Sequence, residues 1–201
     1  MPSTKPYQPL IFRLMHGITA LFLISAAITG FLVYDSWDGR FGSLGFTVKN
    51  RELIDIHGTF GFFFLPIMIF FTIYSIRIGY RRLIQADSFS KLKEFGKPIW
   101  WYTLQRFANT LMLISALFSL LSGKFQDENW LPTGEVNQPW YYAHLIAWCG
   151  VIVALSLHLL MSVKVGGIPL LISMFDPQIH PNDSPKLWTE KVKIWLRNPH
   201  W

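Results

Sequence analysis

The sequence predicts an all-α integral membrane protein, a four-transmembrane-helix bundle with both termini cytoplasmic. Three observations predict it. Hydrophobic residues make up 51% and aromatic residues 16% of the 201 residues, with a mean hydropathy of +0.31. The apolar residues gather in four stretches, 10–34, 54–76, 104–121 and 140–163, each close to the ~20 residues a helix needs to cross the hydrocarbon core. Charge is divided unevenly between the connecting segments. Segment 77–106 carries seven basic residues against Asp87 and Glu94, whereas the other two connections together hold Arg40, Lys49, Arg51 and Lys124 against seven acidic residues. Loops rich in Lys and Arg stay on the cytoplasmic side, which puts the termini and the middle loop there.

Taken in order, the first stretch follows Lys5 and Arg13 and contains Ser25-Ala26-Ala27, features shared with a secretory signal peptide. It continues through Phe31, Leu32 and Val33, too long for the apolar centre of such a peptide, and is read as a retained span. The second stretch contains Pro66, expected to bend it by removing a backbone hydrogen bond. The third and fourth follow the aromatic clusters Trp100-Trp101-Tyr102 and Trp140-Tyr141-Tyr142, which fit an interfacial belt. Cys149 is the only cysteine, so no intrachain disulfide is available; it reads as a small buried hydrophobe in the core. Residues 1–175 form the membrane domain and 176–201 a polar cytoplasmic tail, and no internal repeat is visible. The net charge of +6 comes from basic residues beside the spans. They orient the chain and meet anionic membrane lipid, and nucleic acid is not expected as a partner.

No Lys, Arg, Asp or Glu lies deep in a span, yet four of the six histidines do: His16, His57, His144 and His158. A ligand-type side chain at membrane depth marks function by default, and imidazole is a common axial ligand of haem iron. Fourteen residues separate His144 from His158; at 100° per residue they project from nearly one face of a helix, ~21 Å apart along it. Depth then pairs His16 with His158 on the cytoplasmic side and His57 with His144 on the outer side, each pair clamping one haem iron. A single such histidine is more readily explained by an interhelical hydrogen bond, but two depth-matched pairs are not. Zinc is the other use of clustered histidine, and two histidines alone make an incomplete zinc site.

Gly17, Gly30 and Gly61 lie near these depths and leave room for a flat macrocycle, a reading compatible with small-residue helix packing. Arg13, Arg77, Arg106 and Lys164 at the cytoplasmic ends, and Arg51 at the outer end, are candidate partners for haem propionates; interfacial snorkelling explains them equally. His180 and His200 fall in the tail and are assigned no role.

Arg13-Leu14-Met15-His16, His57-Gly58-Thr59-Phe60-Gly61, the His144 and His158 pair, and His158-Leu159-Leu160-Met161 followed by Lys164-Val165-Gly166-Gly167 resemble the bacterial cytochrome b561 family and its relatives, the di-haem cytochrome b subunits of nickel-iron hydrogenases and formate dehydrogenases. The resemblance implies four helices, two haem b with the pairing above, exchange of electrons with the quinone pool, and a bacterial-type inner or internal energy-transducing membrane. In the formate dehydrogenase relatives an Asn shortly before a Gln-Lys pair helps bind quinone. Gln105-Arg106 resembles that pair, Tyr102 or Thr103 stands where the Asn would fall, and Asn109 one turn further on is the substitute.

The expected function is electron transfer across the bilayer between an outer-side redox partner or small donor and quinone, as an oxidoreductase or as the electron-transfer subunit of one. The alternative is a non-catalytic membrane anchor or assembly subunit of a larger redox complex. Arg40, Lys49 and Arg51 would steer a small anionic donor; loops 35–55 and 123–139 would dock a protein one, and a second copy of the chain is a further candidate partner. Transport is disfavoured because the spans hold no acidic residue at depth.

Overall fold

In the computed structural model, which describes residues 7–46 and 48–197, the chain forms α1 (Leu10–Trp37), α2 (Arg51–Arg77), α3 (Ser88–Lys91), α4 (Pro98–Lys124), α5 (Trp130–Thr133), α6 (Pro139–Ile172) and α7 (Pro185–Arg197). Single 3-10 turns lie at Tyr80–Arg82 and Pro181–Asp183. Helices α1, α2, α4 and α6 are each long and apolar enough to cross a membrane. His200 lies outside the described residues.

Local chemistry sets where these helices begin. Asn50 caps α2, its side chain accepting from the Glu52 amide at 3.0 Å, which satisfies one of the donors a helix start leaves open. Pro98 and Pro139 open α4 and α6, where a missing N–H costs nothing and the fixed φ suits the first turn. α4 therefore starts six residues before its apolar stretch, carrying the Trp100-Trp101-Tyr102 belt on the helix. α6 runs beyond its stretch, and Lys164 in this extension reaches over the Trp101 ring at 4.6 Å, as a snorkelling side chain does. It is interrupted at Gly167, where φ of +67° breaks the helical backbone, a conformation glycine alone adopts readily. Pro66 sits inside α2 without ending it.

The four spans pair as two hairpins, α1 with α2 and α4 with α6, and contacts between the hairpins are thinner. The hairpins meet at mid-depth in a cluster of Leu23 from α1, Phe64 and Met68 from α2, Leu113 and Ala116 from α4 and Val151 from α6. Outward-facing Leu21, Phe62, Phe70, Ile146 and Leu160 are mostly exposed, as expected where the surrounding solvent is hydrocarbon rather than water. Cys149 corrects the sequence reading: it is exposed on α6 and lies outside the core. It lines the cavity between the hairpins with Trp148 and Val151, and a thiol, a small and weak donor, is tolerated on such an apolar wall without full burial.

At the end remote from the termini, the α1–α2 loop is fastened to the start of α6. Arg40 donates to Asp38 at 2.8 Å, to Asn137 and the Tyr142 hydroxyl at 2.8 Å each, and to the Val136 carbonyl. Tyr141 donates to Asp38 at 2.9 Å. Asp35 accepts from the amides of Leu44 and Phe46, each at 2.6 Å. Residues 176–183 return to the start of α1, where Arg13 donates to the Gln178 carbonyl at 2.7 Å and Tyr7 donates to Asp183 at 2.5 Å. The predicted polar tail thus contains helix α7 and is tied to the bundle at its base.

Candidate haem-binding site

Each hairpin contributes histidines to two levels of the bundle. At the level near the termini, His16 on α1 faces His158 on α6 with ring centroids 6.0 Å apart and planes at 32°. At the opposite level, His57 on α2 faces His144 on α6, again at 6.0 Å, with planes at 71°. A metal–imidazole bond of ~2 Å on each side, added to the two ring radii, gives roughly 6 Å between centroids. Each pair is therefore spaced to hold one metal ion between its rings. Among the described residues no group of three or more His, Cys, Asp or Glu side chains comes together, so each level offers a metal two imidazoles, and haem would supply the remaining ligands.

Nitrogen chemistry agrees with that spacing. His158 Nδ1 lies 2.8 Å from Asn109 Oδ1, and His144 Nδ1 lies 3.0 Å from the Ser119 carbonyl and 3.1 Å from the Ser122 hydroxyl. Asn109 Oδ1 and a carbonyl can only accept, so both histidines carry their proton on Nδ1 and keep the Nε2 lone pair for a metal. His57 Nδ1 lies 3.1 Å from Thr29 Oγ1, whose own proton goes to the Ser25 carbonyl at 2.8 Å; the same tautomer follows. Such outer partners fix ring orientation and raise ligand basicity. His16 is held by packing, with Phe12 at 5.6 Å and Phe71 at 6.1 Å between ring centroids.

Gly30 and Gly123 flank the His57 and His144 rings. A Cβ on Gly30 would stand 2.9 Å from His57 Cε1, and one on Gly123 would stand 3.1 Å from His144 Cε1. Gly17 and Gly61 differ, since a Cβ at either would meet nothing within 4 Å. Neither glycine is a tight helix contact, and both leave the neighbouring surface flat. Between the hairpins at the His57–His144 level lies a cavity of about 1110 Å³, whose lining includes Ala26, Gly30, His57, Gly61, His144 and Trp148. Gly30→Val is expected to displace the His57 ring and lower haem binding at the His57–His144 level while leaving the His16–His158 level unchanged, as read from a haem count per chain and the optical spectrum.

Arg13 is 6% exposed and its Nε has no hydrogen-bond partner among the described residues. An orphaned buried N–H is costly, and a carboxylate such as a propionate would satisfy it. The other predicted cations are largely engaged: Arg106 with Asp87 at 4.0 Å, Lys164 with Trp101, and Arg51 with Glu128 at 2.9 Å. Arg82 was missed by sequence reasoning and lies over Phe12, 4.1 Å from the ring centroid, one aromatic layer from His16. Also missed were Thr29, Ser119, Ser122 and Gly123. The sequence did carry a signal for three of them, because Thr29-Gly30 and Ser122-Gly123 repeat one hydroxyl-glycine pairing, and in both the hydroxyl and the glycine face the same ring.

The two predicted quinone residues lie near His158 in different states. Asn109 is used at both ends, Oδ1 towards His158 and Nδ2 donating to the Arg82 carbonyl at 2.9 Å. Gln105 makes one long contact, 3.4 Å to Ser162 Oγ.

Residues 7–177 match the family model of prokaryotic cytochrome b561. The chain belongs to this family. It is thus a membrane-embedded b-type cytochrome that binds haem b and transfers electrons. No curated protein and no solved structure matches the chain. The family match begins just before α1 and stops before α7, covering both histidine levels.

Proposed function

We propose that the chain holds two haem b, one between His16 and His158 and one between His57 and His144, and carries electrons across the bilayer between an outer-side redox partner and quinone. Two histidine pairs at opposite levels, each with 6.0 Å between rings, carry this reading. Haem held between each pair would supply a one-electron iron couple, and two imidazole donors per haem would favour electron transfer over oxygen chemistry. The residues of the chain do the rest. Asn109, Ser119, Ser122 and Thr29 hold three imidazoles in the ligating tautomer. Arg13 offers its buried Nε to a propionate at the end bearing the termini. The cluster of Leu23, Phe64, Met68, Leu113, Ala116 and Val151 excludes water between the two levels.

The termini and the basic segment 77–106 are assigned to the cytoplasmic side on the positive-inside rule. Quinone is assigned to the same side, near His158, Gln105 and Asn109. Gln105 is the freer of the two amides, so Gln105→Leu is expected to weaken binding of a quinone-analogue inhibitor several-fold with haem content unchanged; equal binding removes Gln105 from the quinone site. The first test is a haem count on purified protein with a redox titration, expected to give two haem b per chain with separate midpoints.

One observation favours a subunit of a larger redox complex over a stand-alone enzyme that steers a small anion. Arg40 and Arg51 are neutralised by Asp38 and Glu128, and the Arg40 contacts hold the outer loops as one surface suited to docking. Copurification of an iron-sulfur or catalytic partner supports that version, and turnover by the isolated chain supports the other.

A further inference from the structure

Helix α7 has no role in the electron-transfer reading and lies beyond the family match, which ends at residue 177. Its position is set by the segment before it. Asp183 accepts from the Leu10 amide and the Tyr7 hydroxyl, and His180 packs edge-on against Tyr7 with 4.2 Å between ring centroids. Leu10 is the first residue of a membrane-crossing helix, so these bonds hold the 180–183 turn at the level where α1 enters the bilayer. α7 begins two residues later at Pro185.

At ~100° per residue, Lys186, Glu190, Lys193 and Arg197 fall within one arc of roughly 60°, while Leu187, Trp188 and Ile194 lie outside it. Ile194 is 65% exposed. Among the described residues α7 touches the Pro181–Asp183 turn and has no extensive packing on any of the four spans. Three of its four basic residues lie in that arc with its one acidic residue, and Lys191 falls outside it. An amphipathic helix with a basic polar face, fixed at a bilayer surface, lies in the interface plane, its apolar side in the acyl boundary and its cations among anionic headgroups.

We propose that α7 is an interfacial helix that binds anionic phospholipid headgroups on the membrane surface where α1 begins. The tether at Asp183 and Gln178 limits how far α7 can depart from the surface, so a modest electrostatic attraction is enough to hold it there.

The test uses the full chain in nanodiscs, in a Cys149→Ser background, with an environment-sensitive fluorophore on Ile194→Cys or on Lys193→Cys. Lipid-borne nitroxide is expected to quench the Ile194 label several-fold more than the Lys193 label in discs containing phosphatidylglycerol. Aqueous acrylamide is expected to give the reverse order. The difference should shrink in discs of phosphatidylcholine alone, in high salt, and in Lys186→Glu/Arg197→Glu. Equal aqueous quenching of both labels overturns the proposal, because the helix is then free in water. An Ile194 label shielded from both quenchers also overturns it, because protein, from a second copy or another partner, covers that face. Insertion of Ile194 irrespective of headgroup charge, salt and the charge-reversal pair overturns the assignment to anionic lipid.

Discussion

His144→Ala and His158→Ala are each expected to leave one haem b where the wild-type chain carries two, and a different one in each case. The expectation follows from the shared helix. His144 and His158 both belong to α6 but face different partners, His57 and His16, each at 6.0 Å between rings. Removing one imidazole leaves its partner as a lone axial ligand and leaves the other level, on the far side of the Leu23, Phe64, Met68 and Val151 cluster, untouched. A reduced-minus-oxidised spectrum with haem quantified per chain reads the loss, and a redox titration identifies which midpoint remains. The complementary variants complete the check: His16→Ala should reproduce the His158→Ala spectrum, and His57→Ala the His144→Ala spectrum. Loss of the same haem from both α6 variants would mean that the pairs are not separate sites.

Asn109→Leu is expected to lower retention of the haem at the His16–His158 level by about 10–100-fold, the range seen when an outer partner of a metal-ligating histidine is removed. Leucine keeps most of the side-chain volume but cannot accept from His158 Nδ1 at 2.8 Å or donate to the Arg82 carbonyl at 2.9 Å. Without the acceptor the imidazole is a weaker electron donor, so the midpoint of that haem should rise. Asn109→Asp places a charged acceptor in the same position, strengthens the bond, and should move the midpoint down. The outer midpoint should stay fixed in both variants. Opposite shifts from Leu and Asp distinguish a positioning role from mere packing, which would move both in one direction or neither. The same amide was expected to contact quinone; with both its ends occupied, the quinone role passes more readily to Gln105.

Much of the site was legible because the membrane simplifies the code. An uncharged apolar run has few reasons to contain a histidine, so His16, His57, His144 and His158 stood out, and helical periodicity with span direction was enough to pair them by depth. Gly30 was legible on the same grounds. Thr29, Ser122 and Gly123 were not singled out because hydroxyls and small residues are common in membrane helices and usually bond to their own backbone, as Thr29 also does with the Ser25 carbonyl. Asn109 was noticed and assigned to quinone, because residue type tells which bonds an amide can make and says nothing about which neighbour it reaches.

Composition and hydropathy by themselves determined the four spans and their lengths to within about three turns. These depend on local length and transfer free energy, which a one-dimensional pattern records. Only the tertiary structure decided which amide, hydroxyl and carbonyl face each imidazole, that Cys149 lies outside the core, that Arg40 and Arg51 are neutralised, and that the tail returns to Leu10 before α7 begins. Those outcomes depend on the rotation of each helix about its axis and on contacts between residues from 22 to 173 positions apart, and no local pattern encodes either.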